Sequence, residues 1–288
     1  MSKMHLRPSI PKVRRGNEMT YNEIIKNMER FGASADEICK NTLGVSIESM
    51  HPDVILSPGW PPERLFRREE ITLLTEASPL FGFRIWRVQR NGRSVTYVNT
   101  GYGAPMAMEA MLLLGMAGIR RVLFVSSVGA LSEKILVGDI LLPRTSTDGC
   151  GTGRYLTDDP WSVITNGEQA PDETLFARLT AATDKLAREN GVIWHYGKTL
   201  CVDTIVSQYG HIDEIVRRGY DSLDMESAVV FQTACMMGVS AAALLHVSDN
   251  SVMNQSLMSS RASHGGREYR SFVRKEILPR IVHALFFE

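Results

Sequence analysis

From residue 53 onward the chain alternates short apolar runs with longer amphipathic stretches. Asp53-Val54-Ile55-Leu56-Ser57 is a buried-strand pattern closed by Pro58-Gly59. Gly82 to Gln89 and Ser94 to Asn99 flank Asn91-Gly92, and Asn-Gly between two strand-like runs predicts a hairpin. Pro105 to Gly118 predicts a helix, with Pro in its first turn and Gly at its end. Arg121 to Ser127 reads as a buried strand, and Gly138 to Leu142 as another, stopped by Pro143. A helix follows from Thr174 to Asn190, ended by Gly191. Val192 to Val202 is extended, and His211 to Arg218 is a short helix. Tyr220 to Leu223 is an extended stretch that meets a helix from Ser227 to Met237. Ser240 to Val247 predicts a further buried strand. The last helix carries Phe272, Val273, Ile277, Leu278, Ile281, Val282 and Leu285 on one face. Strands alternating with helices predict an α/β fold. The expectation is a single domain with a mixed, mostly parallel central sheet flanked by helices on both faces.

Residues 1–50 differ from the rest. They are polar, with helices predicted from Tyr21 to Phe31 and from Ala35 to Asn41. Their apolar residues are too sparse for an independent core, so this segment is a helical N-terminal extension packing on the main body or on a neighbour. Residues 51–288 form the main domain. Residues 144–172, rich in Gly, Thr, Asp and Pro, are long for an inert connector and read as a binding loop.

Composition narrows the function classes. The 288 residues carry 32 basic and 32 acidic side chains. Zero net charge argues against a nucleic-acid partner, which selects for basic excess. The scattered Cys39, Cys150, Cys201 and Cys235 form no CxxC or Cys/His cluster, so no metal site or disulfide framework is implied. The basic N-terminus lacks an apolar core after it, unlike a secretory signal. The longest apolar stretch, Ala110 to Ile119, is too short to span a bilayer. No membrane partner and a cytoplasmic location are therefore expected. His246, inside a buried strand, is expected to be a satisfied core residue.

Candidate chemistry gathers at strand ends. Ser57-Pro58-Gly59, Thr100-Gly101-Tyr102-Gly103-Ala104-Pro105 and Ser126-Ser127-Val128-Gly129-Ala130 are glycine-bearing turns after strands, where backbone N–H groups can approach an anion. Two acids, Glu226 and Asp249, also stand at strand ends, where open α/β sheets bind ligands. One would grip a sugar while the other assists a leaving group. The alternative is that both are helix caps.

Those turns, taken in order with Val137-Gly138-Asp139, Asp224-Met225-Glu226 and Ser248-Asp249, make the chain resemble the nucleoside phosphorylase family. The branch is that of purine nucleoside and uridine phosphorylases, and related nucleosidases share the fold. The resemblance covers roughly residues 53–285. It implies a nucleoside-phosphorylase-like fold, a nucleoside substrate and no metal or organic cofactor, with phosphate as a possible co-substrate. Glu226 would accept hydrogen bonds from the ribose hydroxyls, with Met225 against the sugar. Gly59 and Ser127 would hold the nucleophile. Asp249 would protonate the departing base, near Gly129, Ile205 and an assisting Arg261. A likeness to the family also implies a homo-oligomer, a dimer or hexamer, whose neighbour often lends a His; His5 and His51 are the candidates.

The departures bear on the reaction. No uridine-type Gln-x-Arg appears, Gln208 being one position early, and Ser248-Asp249 follows the purine pattern, so a purine is favoured. Two arginines of the family's phosphate site are matched by Phe81 and Phe124, and the place of a third falls to Arg64 or Glu63. Phosphorolysis to free base and ribose 1-phosphate is the leading reading. Hydrolysis, with Glu63 activating water, is one alternative. A catalytically inactive nucleoside-binding protein is another.

Overall fold

A computed structural model describes residues 20–30, 33–157, 167–259 and 266–288. Its strands are β1 (Asp53–Ser57), β2 (Ile71–Thr75), β3 (Arg84–Arg90), β4 (Arg93–Asn99), β5 (Arg121–Ala130), β6 (Ile140–Asp148), β7 (Glu168–Gln169), β8 (Trp194–Cys201), β9 (Ser222–Asp224) and β10 (Ser240–Asn250). The helices are α1 (Tyr21–Arg30), α2 (Ala35–Leu43), α3 (Ala104–Met116), α4 (Glu173–Asn190), α5 (Ile212–Arg217), α6 (Ser227–Met237), α7 (Arg267–Phe272) and α8 (Leu278–Phe286).

Strand β1 lies parallel to both neighbours, β4 and β5. Its side chains alternate between two cores, as a strand's period of two demands. Val54 and Leu56 join α2, α3 and α6 on one face, while Ile55 joins α4 and α8 on the other. Helices therefore cover both faces. Asn91 and Gly92 close the β3–β4 hairpin with φ of 50° and 73°, the left-handed pair that suits a two-residue turn.

The pairing around β5 is the feature that shapes the molecule. Strand β10 runs parallel to β5 and antiparallel to β6. Strand β6 is parallel to β8, β8 is parallel to β9, and β9 returns antiparallel to β5. The hydrogen-bonded circuit thus comes back to its starting strand.

The sheet is mixed, as expected: among the described residues five ladders are parallel and five antiparallel. Short connections make β2, β3 and β4 a meander, and the three-residue β9 and the β10–β6 contact add antiparallel pairs. Three other expectations need correction. Pro143 does not end β6, because the register against β8 shifts between Pro143 and Thr145 and the irregularity accommodates the missing N–H. Residues 144–172 are not one loop: Arg144 to Asp148 continue β6, Thr152–Leu156 form a short 3-10 helix, and 158–166 lie outside the described residues. Phe272 is 39% exposed, because a π-helical turn over Val273–Ile277 shifts the phase between α7 and α8.

The N-terminal helices lie on α3. The Tyr21 hydroxyl donates to the Leu112 carbonyl at 2.6 Å, and Gly115 leaves the room that its ring needs. Ser34 and Glu37 form a capping box that starts α2, whose Ile38, Cys39 and Leu43 enter the core beside α3. No helix among the described residues is long and apolar enough to cross a membrane. Leu43 is fully buried, so Leu43→Ala is expected to cost about 2–5 kcal/mol in urea unfolding. A loss below about 0.5 kcal/mol, the usual surface value, would mean that α2 is not part of the folded core.

Candidate functional site

One cleft of about 280 Å³ gathers seven of the sequence candidates: Gly59, Ser127, Gly129, Ile205, Met225, Glu226 and Asp249. Each is delivered by a strand end or the turn after it. Gly59 follows β1, and a Cβ there would lie 2.2 Å from the Tyr102 hydroxyl, so the glycine leaves that exposed ring its place over the turn. Ser127 and Gly129 lie in the second half of β5.

Asp249 lies inside β10 and not beyond it. The register against β5 shifts between Val247 and Asp249, which places Asp249 opposite Gly129. A Cβ on Gly129 would come within 3.3 Å of the Asp249 carboxylate, so the glycine gives that group its space. The Ser248 hydroxyl donates to Asp249 Oδ1 at 2.6 Å. Burial pushes the Asp249 carboxyl above its ordinary range, with the Ser248 hydrogen bond acting in the opposite direction.

Glu226 precedes α6 but does not cap it. Asp224 does, accepting from the Ser227 N–H at 3.0 Å. The Glu226 side chain turns into the cleft and accepts from the Gly103 N–H at 2.7 Å. Gly103 has φ of 105°, open to glycine and strained for other residues. Burial, and then the Asp224 carboxylate, push Glu226 up to about 8. The helix-cap alternative therefore fails for both acids: one sits in a strand, and the other leaves capping to its neighbour.

The cleft also holds Trp60, Tyr102, Gln208 and Arg270, none of them singled out as site residues from sequence. Arg270 comes from α7. Arg274 and Arg64 do not line the cleft but act on Arg270 electrostatically, and Arg64 has its guanidinium 5.3 Å from the Trp60 ring centre. Burial and then the charge of Arg274 lower both Arg64 and Arg270, while Asp249 pulls Arg270 the other way. Among the described residues none of the three arginines forms a salt bridge. His246 is buried beside Trp60, and burial followed by Arg270 and Arg274 depresses it to about 3. His246 is the core residue expected, with its ring hydrogen-bonded to the Arg270 backbone, while its Nε2 has no hydrogen-bond partner among the described residues. Positive charge without a partner, next to glycine and serine N–H and O–H groups, suits an oxyanion.

The remaining candidates fall elsewhere. Glu63 sits on the Pro62–Arg64 turn and does not line the cleft. Phe124 is fully buried in the core, and Phe81 stacks on Phe83 with ring centres 5.2 Å apart. Arg261 and His5 lie outside the described residues. Arg270 did have a signal: Arg267, Arg270 and Arg274 recur at three- and four-residue spacing, one basic stripe on a helix assessed for its apolar face.

Residues 55–264 match the family model of the phosphorylase superfamily. The chain belongs to that superfamily. It is an enzyme of this superfamily, and its fold agrees. It is 26% identical over 204 residues to a DeoD-type purine nucleoside phosphorylase from Alkaliphilus metalliredigens, covering 69% of this chain and 82% of the relative. A DeoD-type relative from Streptococcus pneumoniae is 26% identical over 206 residues, with the same coverage. Among solved structures, AMP nucleosidase from Bacteroides thetaiotaomicron superposes with a TM-score of 0.63 at 19% identity, over 93% of this chain and 97% of that one. Uridine phosphorylase from Vibrio fischeri gives 0.64 at 18% identity, over 85% of this chain and 94% of that one. At these identities the two structures establish the superfamily's fold.

The raised Glu226 carboxyl has a measurable consequence. The folded state holds an extra proton between the ordinary value of 4.5 and about 8, so this group's contribution to stability falls as pH rises through that window. His246 acts oppositely below its ordinary 6.5, where acid destabilises the fold. Between pH 6.5 and 8 the Glu226 effect stands clear of His246, with a slope of up to about 1.4 kcal/mol per pH unit. Glu226→Gln is expected to flatten that slope in urea titrations across the range. An unchanged slope would show that Glu226 ionises in the fold as it does in water.

Proposed function

We propose that this superfamily member cleaves the N-glycosidic bond of a purine nucleoside by phosphorolysis, releasing free base and ribose 1-phosphate. The observation that carries the reading is Arg270 in the cleft lining, with Arg64 against the Trp60 ring and Arg274 in electrostatic contact with both. The sequence put Phe81 and Phe124 where the family keeps phosphate arginines. Charge from α7 and the following turn replaces what those positions lack.

Phosphate lies against the Gly59 N–H and the Ser127 hydroxyl, with the arginines around it. Glu226 accepts from the ribose 2′- and 3′-hydroxyls, and Met225 packs on the sugar. As phosphate attacks C1′, the glycosidic bond breaks and its electron pair goes to the base. Asp249 supplies a proton to the departing purine, and its burial favours the protonated form that such a donor needs. Gly129 and Ile205 flank the base. Gln208, whose Oε1 is buried without a partner among the described residues, offers an acceptor to the base edge. This reading needs no metal or organic cofactor, and its setting is a cytoplasmic homo-oligomer, a dimer or hexamer.

Hydrolysis remains the second reading, and the position of Glu63 outside the cleft lining counts against it. A binding-only protein would have no use for a protonated acid at the base. The test is a panel of purine and pyrimidine nucleosides assayed with and without phosphate. Base release from purines only with phosphate, with ribose 1-phosphate as co-product, is expected. Equal rates without phosphate would overturn phosphorolysis, and tight nucleoside binding with no turnover would overturn both enzyme readings. Arg274→Ala is expected to raise the KM for phosphate about tenfold or more, the scale of one charge-assisted hydrogen bond. Glu63→Gln is expected to leave the rate unchanged.

A further inference from the structure

We infer that the turn at Val137-Gly138-Asp139, together with Tyr269, is a positioning device that sets Arg270 in the cleft. The inference rests on the phosphorolytic role of Arg270 given above.

Helix α7 sits directly on this turn. Gly138 has φ of 105°, and a Cβ there would lie 2.9 Å from Tyr269 Cδ1 and 3.1 Å from the Arg270 Cα. Any side chain at 138 would therefore push away the backbone that carries Arg270. Asp139 is 1% exposed, and each of its carboxylate oxygens is engaged. Oδ1 accepts from the Tyr269 hydroxyl at 3.1 Å. Oδ2 accepts from the Leu136 N–H at 2.9 Å and lies 2.8 Å from His195 Nε2. The Tyr269 hydroxyl in turn accepts from the Ile193 N–H at 3.0 Å. The tyrosine is thus held at both its donor and its acceptor, and the next residue is Arg270.

The same turn also holds the strand of the acid. The Gly138 N–H donates to the Val247 carbonyl, and the Val247 N–H donates to the Asp139 carbonyl, each at 2.9 Å. Val247 stands two residues before Asp249 in β10. One turn therefore fixes α7 and the end of β10 relative to each other. It sets the separation between a cation on one and an acid on the other. Buried polar networks of this kind rigidify when every member is satisfied.

Tyr269→Phe keeps the ring on Gly138 and removes only the hydroxyl. It is expected to raise the KM for phosphate about fivefold, near the value of one hydrogen bond, with a smaller change in kcat. In an Arg270→Ala background the same substitution is expected to have no further effect, because the group it positions is gone. Gly138→Ala is expected to act in the same direction and more strongly, again only with Arg270 present. Wild-type kinetics for Tyr269→Phe would overturn the inference, as would an equal fold-change in both backgrounds, since that means general loosening. If Arg270→Ala itself changes neither KM nor kcat, the assignment of Arg270 fails and this inference fails with it. Should cleavage proceed without phosphate, the same cycle is read in kcat/KM for the nucleoside, with the same outcomes deciding it.

Discussion

Strand β10 is hydrogen-bonded along both edges, to β5 and to β6, and that double pairing determines where its last residues go. Leu245 and Val247 belong to the core shared with α3 and α6, so regular alternation would send Asp249 to the same face. The shift at Ser248 adds one residue and turns Asp249 to the face of Gly129, two residues beyond Ser127. Across the circuit, β9 ends at Asp224 and leads through Met225 and Glu226 into α6. Both acids reach one cleft because β5 pairs with β10, which carries Asp249, and with β9, which leads to Glu226.

The groups that line that cleft are held away from their ordinary charge states. Burial raises three carboxyls, those of Asp224, Glu226 and Asp249, and lowers two arginines, and a buried histidine is held neutral beside them. Such groups weaken the fold by remaining undercompensated, and functional sites are where proteins keep them. A ligand with hydroxyl donors at one place and an oxyanion at another would complement these groups, and the ribose and phosphate of the proposed reaction carry both.

Much of this was legible in the chain. The boundaries of β1 and α6 follow from Pro58-Gly59 and from the apolar run after Glu226, and the Asn91-Gly92 turn was unambiguous. Glu226 and Asp249 could be paired because residue type and strand-end position both mark them. The register shifts at Pro143–Thr145 and Val247–Asp249 were hidden, since a bulge depends on what the neighbouring strand offers. The basic stripe of Arg267, Arg270 and Arg274 was visible, but the place of Arg270 in the cleft was hidden for a related reason. Only the docking of α7 on Gly138 and Asp139 brings it to a cleft built from strands far away in sequence. The antiparallel entry of β9 was equally invisible, because three residues carry no directional pattern.

The most direct measurement is a crystal structure of the protein with a purine nucleoside and a phosphate analogue such as sulfate. The account predicts the ribose 2′- and 3′-hydroxyls on Glu226, the purine ring beside Asp249, and the oxyanion between Ser127 and Arg270. A nucleoside bound elsewhere, or one in this cleft with its base toward Glu226 and its sugar toward Asp249, would contradict it.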